Sequence, residues 1–392
     1  MTGSAYLALR YALHHPLRTG VLAACVAVAL ALPAGSRAIL ERFESSLYAR
    51  ARTVPLVVGA KGSRFDLAFS ALYFRATDLA PTPYREYAEL LDEPSVRAIP
   101  VHARFTASGG DVPVVATSIE YLETRGLAPD EGRVFARVGE AVIGSRAAER
   151  LGLGVGGWVF SDQRELYDIT SPPSVKLDIV GVLGETGTPD DDALIVDLET
   201  AWVLEGIAHG HDEAEEIERA DLVIGRSEEH VALSGAVVTY QEITDENAAS
   251  FHLHGPRDNL PLSSILVYPA DDKARTIVRT RVDASAAAQA IVPTRVIDDL
   301  IAFLLRIRAL IDALSAILLL STLTLIGCIG VLSYRVRAAE IRTLGEIGCA
   351  RGTVGLMFAF EAGGVLAVAG AVAGVVTLAA LGLAEPLMRA GL

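Results

Sequence analysis

The chain has 392 residues, 51% of them hydrophobic, a mean hydropathy of +0.39 and a formal charge of −14. The acidic balance, with no basic stripe of useful size, excludes nucleic acid as the partner. The high hydropathy comes from three apolar segments, 19–36, 313–334 and 353–383, the last interrupted only by Glu361. Each is close to or above the ~20 residues that span a bilayer at ~1.5 Å per residue. The expected fold class is therefore an α-helical membrane protein with three transmembrane helices and a large extracytoplasmic α+β domain inserted between the first and second. The three cysteines, Cys25, Cys328 and Cys349, all lie outside that insert, which must then rest on a hydrophobic core instead of disulfides.

Residues 6–13 read as a short interfacial helix, closed by His14, His15 and Pro16. The first span follows (19–40). Its apolar run is longer than a usual signal-peptide core and no clean cleavage site follows it, so it reads as a retained anchor. Arg37, Arg42, Arg50 and Arg52 alternate with Glu41 and Glu44 beyond it, the pattern of a charge-laced helical stalk. In the insert (41–293), strands are expected at 54–58, 96–107, 112–117, 141–143, 175–183, 193–196, 231–241 and 264–268. Helices are expected at 66–73, 84–91, 147–151, 271–282 and 284–290. A break after Gly206 would divide the insert into two lobes. From Thr294 one helix without Pro or Gly until Gly327 enters the second span; carried to Arg335 it would measure on the order of 60 Å, about twice the hydrocarbon thickness.

Arg10 and Arg18 precede the first span, and Arg335, Arg337, Arg342 and Arg351 lie between the second and third. Short basic loops stay cytoplasmic, which puts the N-terminus and segment 335–352 inside and both the insert and the tail 384–392 outside. Within 335–352, Ile341, Leu344 and Ile347 recur at i, i+3, i+6 as an apolar stripe, while Glu340, Arg342 and Glu346 point elsewhere. A short helix between two spans transmits force only if something in the cytoplasm grips it; the plainer alternative is a helix lying on headgroups with arginines that serve topology alone.

The run Arg335, Glu340-Ile341-Arg342, Leu344, Ile347-Gly348, Arg351 and then Glu361-Ala362 closely resembles the signature of the FtsX/MacB/LolC-type ABC transporter permeases. The N-terminal Leu9-Arg10 through Pro16 and Arg18-Thr19 is similar to the family's lead-in. Asp130-Glu131-Gly132-Arg133, Glu140 to Gly144, Ala147 to Gly152, Gly156-Gly157 and Leu177 to Leu183 look like its periplasmic core domain. The resemblance implies a coupling helix at 338–348 that docks on a separate cytoplasmic P-loop ATPase, with Glu340, Ile341, Arg342, Leu344, Ile347, Gly348, Arg351 and Glu361 as the coupling residues. It also implies a second permease copy or paralogue, a bacterial inner-membrane location, and motion relayed through the stalk for efflux or for lipid or lipoprotein extraction. The family normally has four spans, and this chain shows three.

Other constellations are weaker. No Walker motif occurs, so ATP hydrolysis is expected in a partner and this chain is not expected to be an enzyme. The glycine turn 57–63 lacks the phosphate-loop pattern. Asp190-Asp191-Asp192 reads as a solvated turn or a cation site, and Gly370 and Gly374 as a small-residue pair suited to helix packing. Glu361 reads either as a partner of the coupling helix through Arg351 or as a snorkelling side chain. His209-Gly-His211 and His252-Leu-His254 are two His-x-His pairs; on a strand both imidazoles of a pair share a face and can hold Zn or Cu. The plainer reading is solvated loop polarity. No other cofactor is expected. A non-transporting transmembrane signal transducer, which activates a periplasmic hydrolase or senses a metal, is the alternative to the permease.

Overall fold

The computed structural model describes residues 3–162, 174–209, 223–226, 231–233, 240–241, 243, 251–253, 255–348 and 350–391. They group into two compact units: one formed by 1–47 with 298–392, the other by Tyr48–Ile297. The insert is thus one unit and not two lobes.

The first unit is helical. Gly3–His14 packs along Arg351–Gly391. Among the described residues, three helices are long and apolar enough to cross a membrane: Pro16–Ala51, Pro293–Val336 and Gly352–Leu383. The first stays unbroken through Pro33. Ile326 packs against two clusters, Leu22, Ala23 and Val365 in one and Val26, Ala27 and Ala369 in the other. Small side chains at Ala27 and Ala369 let the helices approach closely, as apolar helices do when packing and not hydrophobicity drives association. Gly370 and Gly374 take no part in this contact; a Cβ at either would meet nothing within 4 Å.

The second unit is built on an eleven-stranded mixed sheet. Val96–Ala107 pairs antiparallel with Val112–Thr117 on one side and Ser264–Pro269 on the other. Beyond Ser264–Pro269 come Leu56–Ala60 and then Ala288–Ile291. Beyond Val112–Thr117 come Leu194–Asp197, Glu140–Ile143 and Ser174–Leu183. Ser174–Leu183 also pairs with Pro129–Gly132, Trp158–Phe160 and Tyr240–Gln241. Its burial alternates strictly along its ten residues, the period of a half-buried strand. Among the described residues, Trp202, Tyr121 and Phe135 are the largest fully buried side chains.

Most expected elements of the insert appear within a residue or two. Leu56–Ala60 starts two residues later than expected, because Pro55 has no N–H for the ladder. The glycine turn after it leads into Arg64–Tyr73, where the Ser63 hydroxyl accepts from the Asp66 N–H at 3.2 Å; this is a helix cap and not a phosphate loop. Two expectations are corrected. The alanine-rich stretch 284–290 is not helical: the preceding helix ends at Ala284, and Ala288–Ile291 is a strand. Its pairing with Leu56–Ala60 and the Gln289 Nε2 donation to Ala60 O at 2.9 Å override alanine's helix propensity. The stretch 231–241 is not one strand either; Val231–Leu233 and Tyr240–Gln241 belong to different sheets. Several elements were not expected, among them the helices Ile119–Arg125 and Leu198–Leu204 and the strands Trp158–Phe160 and Pro129–Gly132. The first two have seven residues each, too few for a periodic signal.

The glycines of the insert's motifs have packing reasons. Gly132 has φ +78°, and a Cβ there would lie 2.2 Å from the Val180 carbonyl oxygen. At Gly144 a Cβ would lie 2.2 Å from the Asp190 carbonyl oxygen. Arg133 pairs with Glu140, chiefly through the hydrogen bond that holds this carboxyl below its ordinary range. Two of the motifs therefore clasp each other.

Candidate coupling site

The segment between the second and third long helices folds as the helix Ala338–Glu346. Arg337 stands at its N-cap, and Ile347 is its C-cap. Gly348 follows at φ +92°, where only glycine is free of strain, so the Ile347-Gly348 pair marks the end of the helix. Arg342 and Glu346 are exposed, and Ile341 is half-buried. Ile347 is 79% exposed, a large apolar side chain left without cover within the chain. The side chains of Glu340, Leu344 and Arg351 lie outside the described residues, so the expected apolar stripe is described only at its two ends.

Glu361 is held in a cluster that draws on the first two helices, the cap of the short helix and the last helix. Its Oε1 lies 3.3 Å from Arg18 Nη2, and its Oε2 lies 3.8 Å from Arg337 Nη1. Glu361 and Arg337 are mostly buried, at 13% and 12% side-chain exposure. The Arg337 guanidinium lies 3.9 Å from the Tyr11 ring centroid and 5.7 Å from that of Phe358. Arg18 donates to the Tyr11 hydroxyl at 3.0 Å. A planar guanidinium suits both tasks, stacking on an aromatic face and pairing with a carboxylate. A lone carboxylate inside an apolar helix is costly, and two guanidinium groups offset that cost. Both basic groups flagged by the sequence thus converge on one carboxylate.

Sequence reasoning selected Glu361 but paired it with Arg351. Its partners among the described side chains are Arg18 and Arg337. Tyr11, Arg18 and Arg337 were not among the expected coupling residues. Arg18 and Arg337 counted only toward topology, and nothing in local spacing brings residues this far apart in sequence to one point.

A second charged cluster lies in the core of the sheet unit. Arg50, placed by the sequence on an exposed stalk, is buried. It donates to Asp190 Oδ2 at 2.7 Å, to the Tyr121 hydroxyl at 2.9 Å and to the Leu72 carbonyl at 2.9 Å. Asp190 also accepts from Tyr121 at 2.5 Å, Thr188 at 2.8 Å and Arg125 at 3.2 Å. Burial alone would raise the Asp190 carboxyl, but the Arg50 charge and these hydrogen bonds outweigh it and hold it below its ordinary range. Burial pushes the Tyr121 hydroxyl well up, so it remains a donor. Asp191 and Asp192 pair with Arg146, and Asp192 also with Arg150. The acidic triplet is therefore neither a solvated turn nor a cation site: its carboxylates are already neutralised by arginines.

Of the four histidines flagged as metal ligands, His211 and His254 lie outside the described residues. His209 and His252 sit in the strands Ala208–His209 and His252–Leu253, which pair antiparallel with each other. No group of three or more His, Cys, Asp or Glu arranged to hold a metal occurs among the described residues.

Residues 21–250 match the family described as MacB-like periplasmic core domain. No curated protein matches the chain. Among solved structures, the periplasmic region of MacB from Actinobacillus actinomycetemcomitans is 10% identical with a TM-score of 0.37, over 65% of this chain and 97% of that one. The extracellular domain of the noncanonic ABC-type transporter YknZ from Gram-positive bacteria is 12% identical with a TM-score of 0.33, over 60% of this chain and 98% of that one. Likenesses this distant add nothing to the family match.

Proposed function

The chain belongs to the MacB-like periplasmic core domain family, which matches more than half of its length, and on that footing we propose that it is the membrane subunit of an ABC-type complex. A separate cytoplasmic P-loop ATPase grips the helix Ala338–Glu346, and a second permease copy or paralogue completes the complex. ATP-driven closure of the ATPase shifts that helix. The shift is relayed through the long helices to the periplasmic domain, which expels or extracts a substrate. Such relay needs a rigid element with two arrangements.

The observation that carries this reading is the short helix between two long apolar ones, with Ile347 exposed at one end and Arg337 bound to Glu361 at the other. A helix serving topology alone has no need of an uncovered Ile347. A rigid link from its N-cap to the neighbouring helices is what a transmitter requires.

Replacing Leu344 or Ile347 with Asp puts a charge on the docking face. We expect the variant to insert and fold, and the co-purified ATPase to lose most of its stimulation. Unchanged stimulation in both variants would falsify the docking role.

A further inference from the structure

We infer that the helix Gly3–His14 is a binding surface for anionic phospholipid headgroups. The inference needs only that the long apolar helices span a bilayer; it does not rest on the permease reading. The two sides of this helix differ. Ser4 and Ala8 are buried, and the helix packs along Arg351–Gly391. Tyr11 shares their side: its hydroxyl accepts from Arg18, and the Arg337 guanidinium lies over its ring. At ~3.6 residues per turn, Tyr6, Leu9, Arg10 and Leu13 fall on the opposite side, and all four are exposed. Leu13 is 66% exposed, and Leu17, four residues further along the chain, is 82% exposed.

Apolarity and charge together select the occupant. Water does not favour a row of uncovered leucines, whereas a leaflet takes such a face into the boundary between headgroups and acyl chains. Arg10 Nε donates to the Tyr6 hydroxyl at 3.1 Å, and its guanidinium lies 5.7 Å from the ring centroid. Tyrosine and arginine sit at headgroup level beside apolar side chains that go deeper. The charge is of one sign: the sequence carries Arg10, His14, His15 and Arg18 before the first apolar segment, and no Asp or Glu before Glu41. The phosphates of anionic lipids complement it, and net-neutral lipids do so far less. An acidic protein surface would match the arginines but not the leucines around them. Only His15 separates this helix from the long helix Pro16–Ala51, so the bilayer surface is within its reach.

The test uses the full chain in phosphatidylcholine vesicles, freed of Cys25, Cys328 and Cys349, with a fluorescent label at Leu13→Cys. The probes are acyl-brominated phosphatidylglycerol and acyl-brominated phosphatidylcholine, added in separate experiments as the same minor fraction of the bilayer. Both should quench the label, phosphatidylglycerol about fivefold more effectively, the preference that one arginine near the surface gives. Arg10→Gln should remove most of that preference with near-UV circular dichroism unchanged. Raised salt should do the same while Arg10 is intact, a measurement that stands even if the variant misfolds. No quenching by either lipid overturns the inference, as does equal quenching by both. A label shielded by a co-purified cytoplasmic protein, and reached by lipid only after its removal, would assign the face to that protein and overturn it too.

Discussion

At the scale of single residues, Arg50 and Asp190 show how placement changes the meaning of a charge. An exposed arginine on a stalk contributes little; buried beside Asp190, the same residue becomes part of the core. The sign of the pH dependence follows from the depressed Asp190 carboxyl. Its contribution is fully present above the unfolded carboxylate range, ~3.9, and is lost as pH falls through the lower folded value. Asp197 acts in the opposite sense, because burial pushes its carboxyl up, so it costs stability at neutral pH and less as it protonates. A comparison of Asp190→Asn with wild type isolates the first effect. The variant leaves Arg50 and Arg125 without a buried counter-charge, a loss of ~3–5 kcal/mol. Thermal melts of the full chain between about pH 3 and pH 7 should show that gap at neutral pH and its narrowing in acid; a pH-independent gap would refute the assignment.

At the scale of elements, Glu361 matters because it joins pieces that share no sequence neighbourhood. Arg18 belongs to the first long helix, Arg337 to the N-cap of the short helix, and Glu361 to the last helix. Glu361→Gln keeps the shape and removes the charge. Because the cluster is only mostly buried and its contacts are 3.3 and 3.8 Å, the expected loss is on the order of 1–2 kcal/mol, below that of a fully buried pair. The readout is a melting temperature in detergent lowered by a few degrees, with the ATPase still bound but less stimulated. Full stimulation in this variant, with stimulation still lost in Leu344→Asp, would sink the relay through Glu361 while leaving the docking role intact.

At the scale of the whole molecule, the helical unit is assembled from the two ends of the chain, and the sheet unit is inserted between them in sequence. The convergence of Arg18 and Arg337 on Glu361 supports placing both basic segments at one end of the apolar helices. The distribution of Lys and Arg predicts that this end faces the cytoplasm. Arg342→Cys, in a background freed of Cys25, Cys328 and Cys349, tests the orientation with a membrane-impermeant maleimide. Labelling should appear only after the membrane is opened; labelling in sealed cells would invert the topology and remove the ATPase from its docking helix.

The amino-acid sequence by itself determined whatever depends on local pattern. Apolar length set the three long helices, period-two alternation set strands such as Val96–Ala107 and Ser174–Leu183, and a run of small, basic and apolar residues marked the helix Ala338–Glu346. Tertiary structure alone decided which charges meet, because Glu361 and Asp190 find their partners across long stretches of chain, where spacing carries no information. It also decided the fate of Ala288–Ile291, a helix-prone stretch made a strand by an open sheet edge beside it. Local propensity is worth tenths of a kcal/mol per residue, whereas ladder hydrogen bonds and buried ion pairs are worth more and depend on neighbours supplied only by the completed fold.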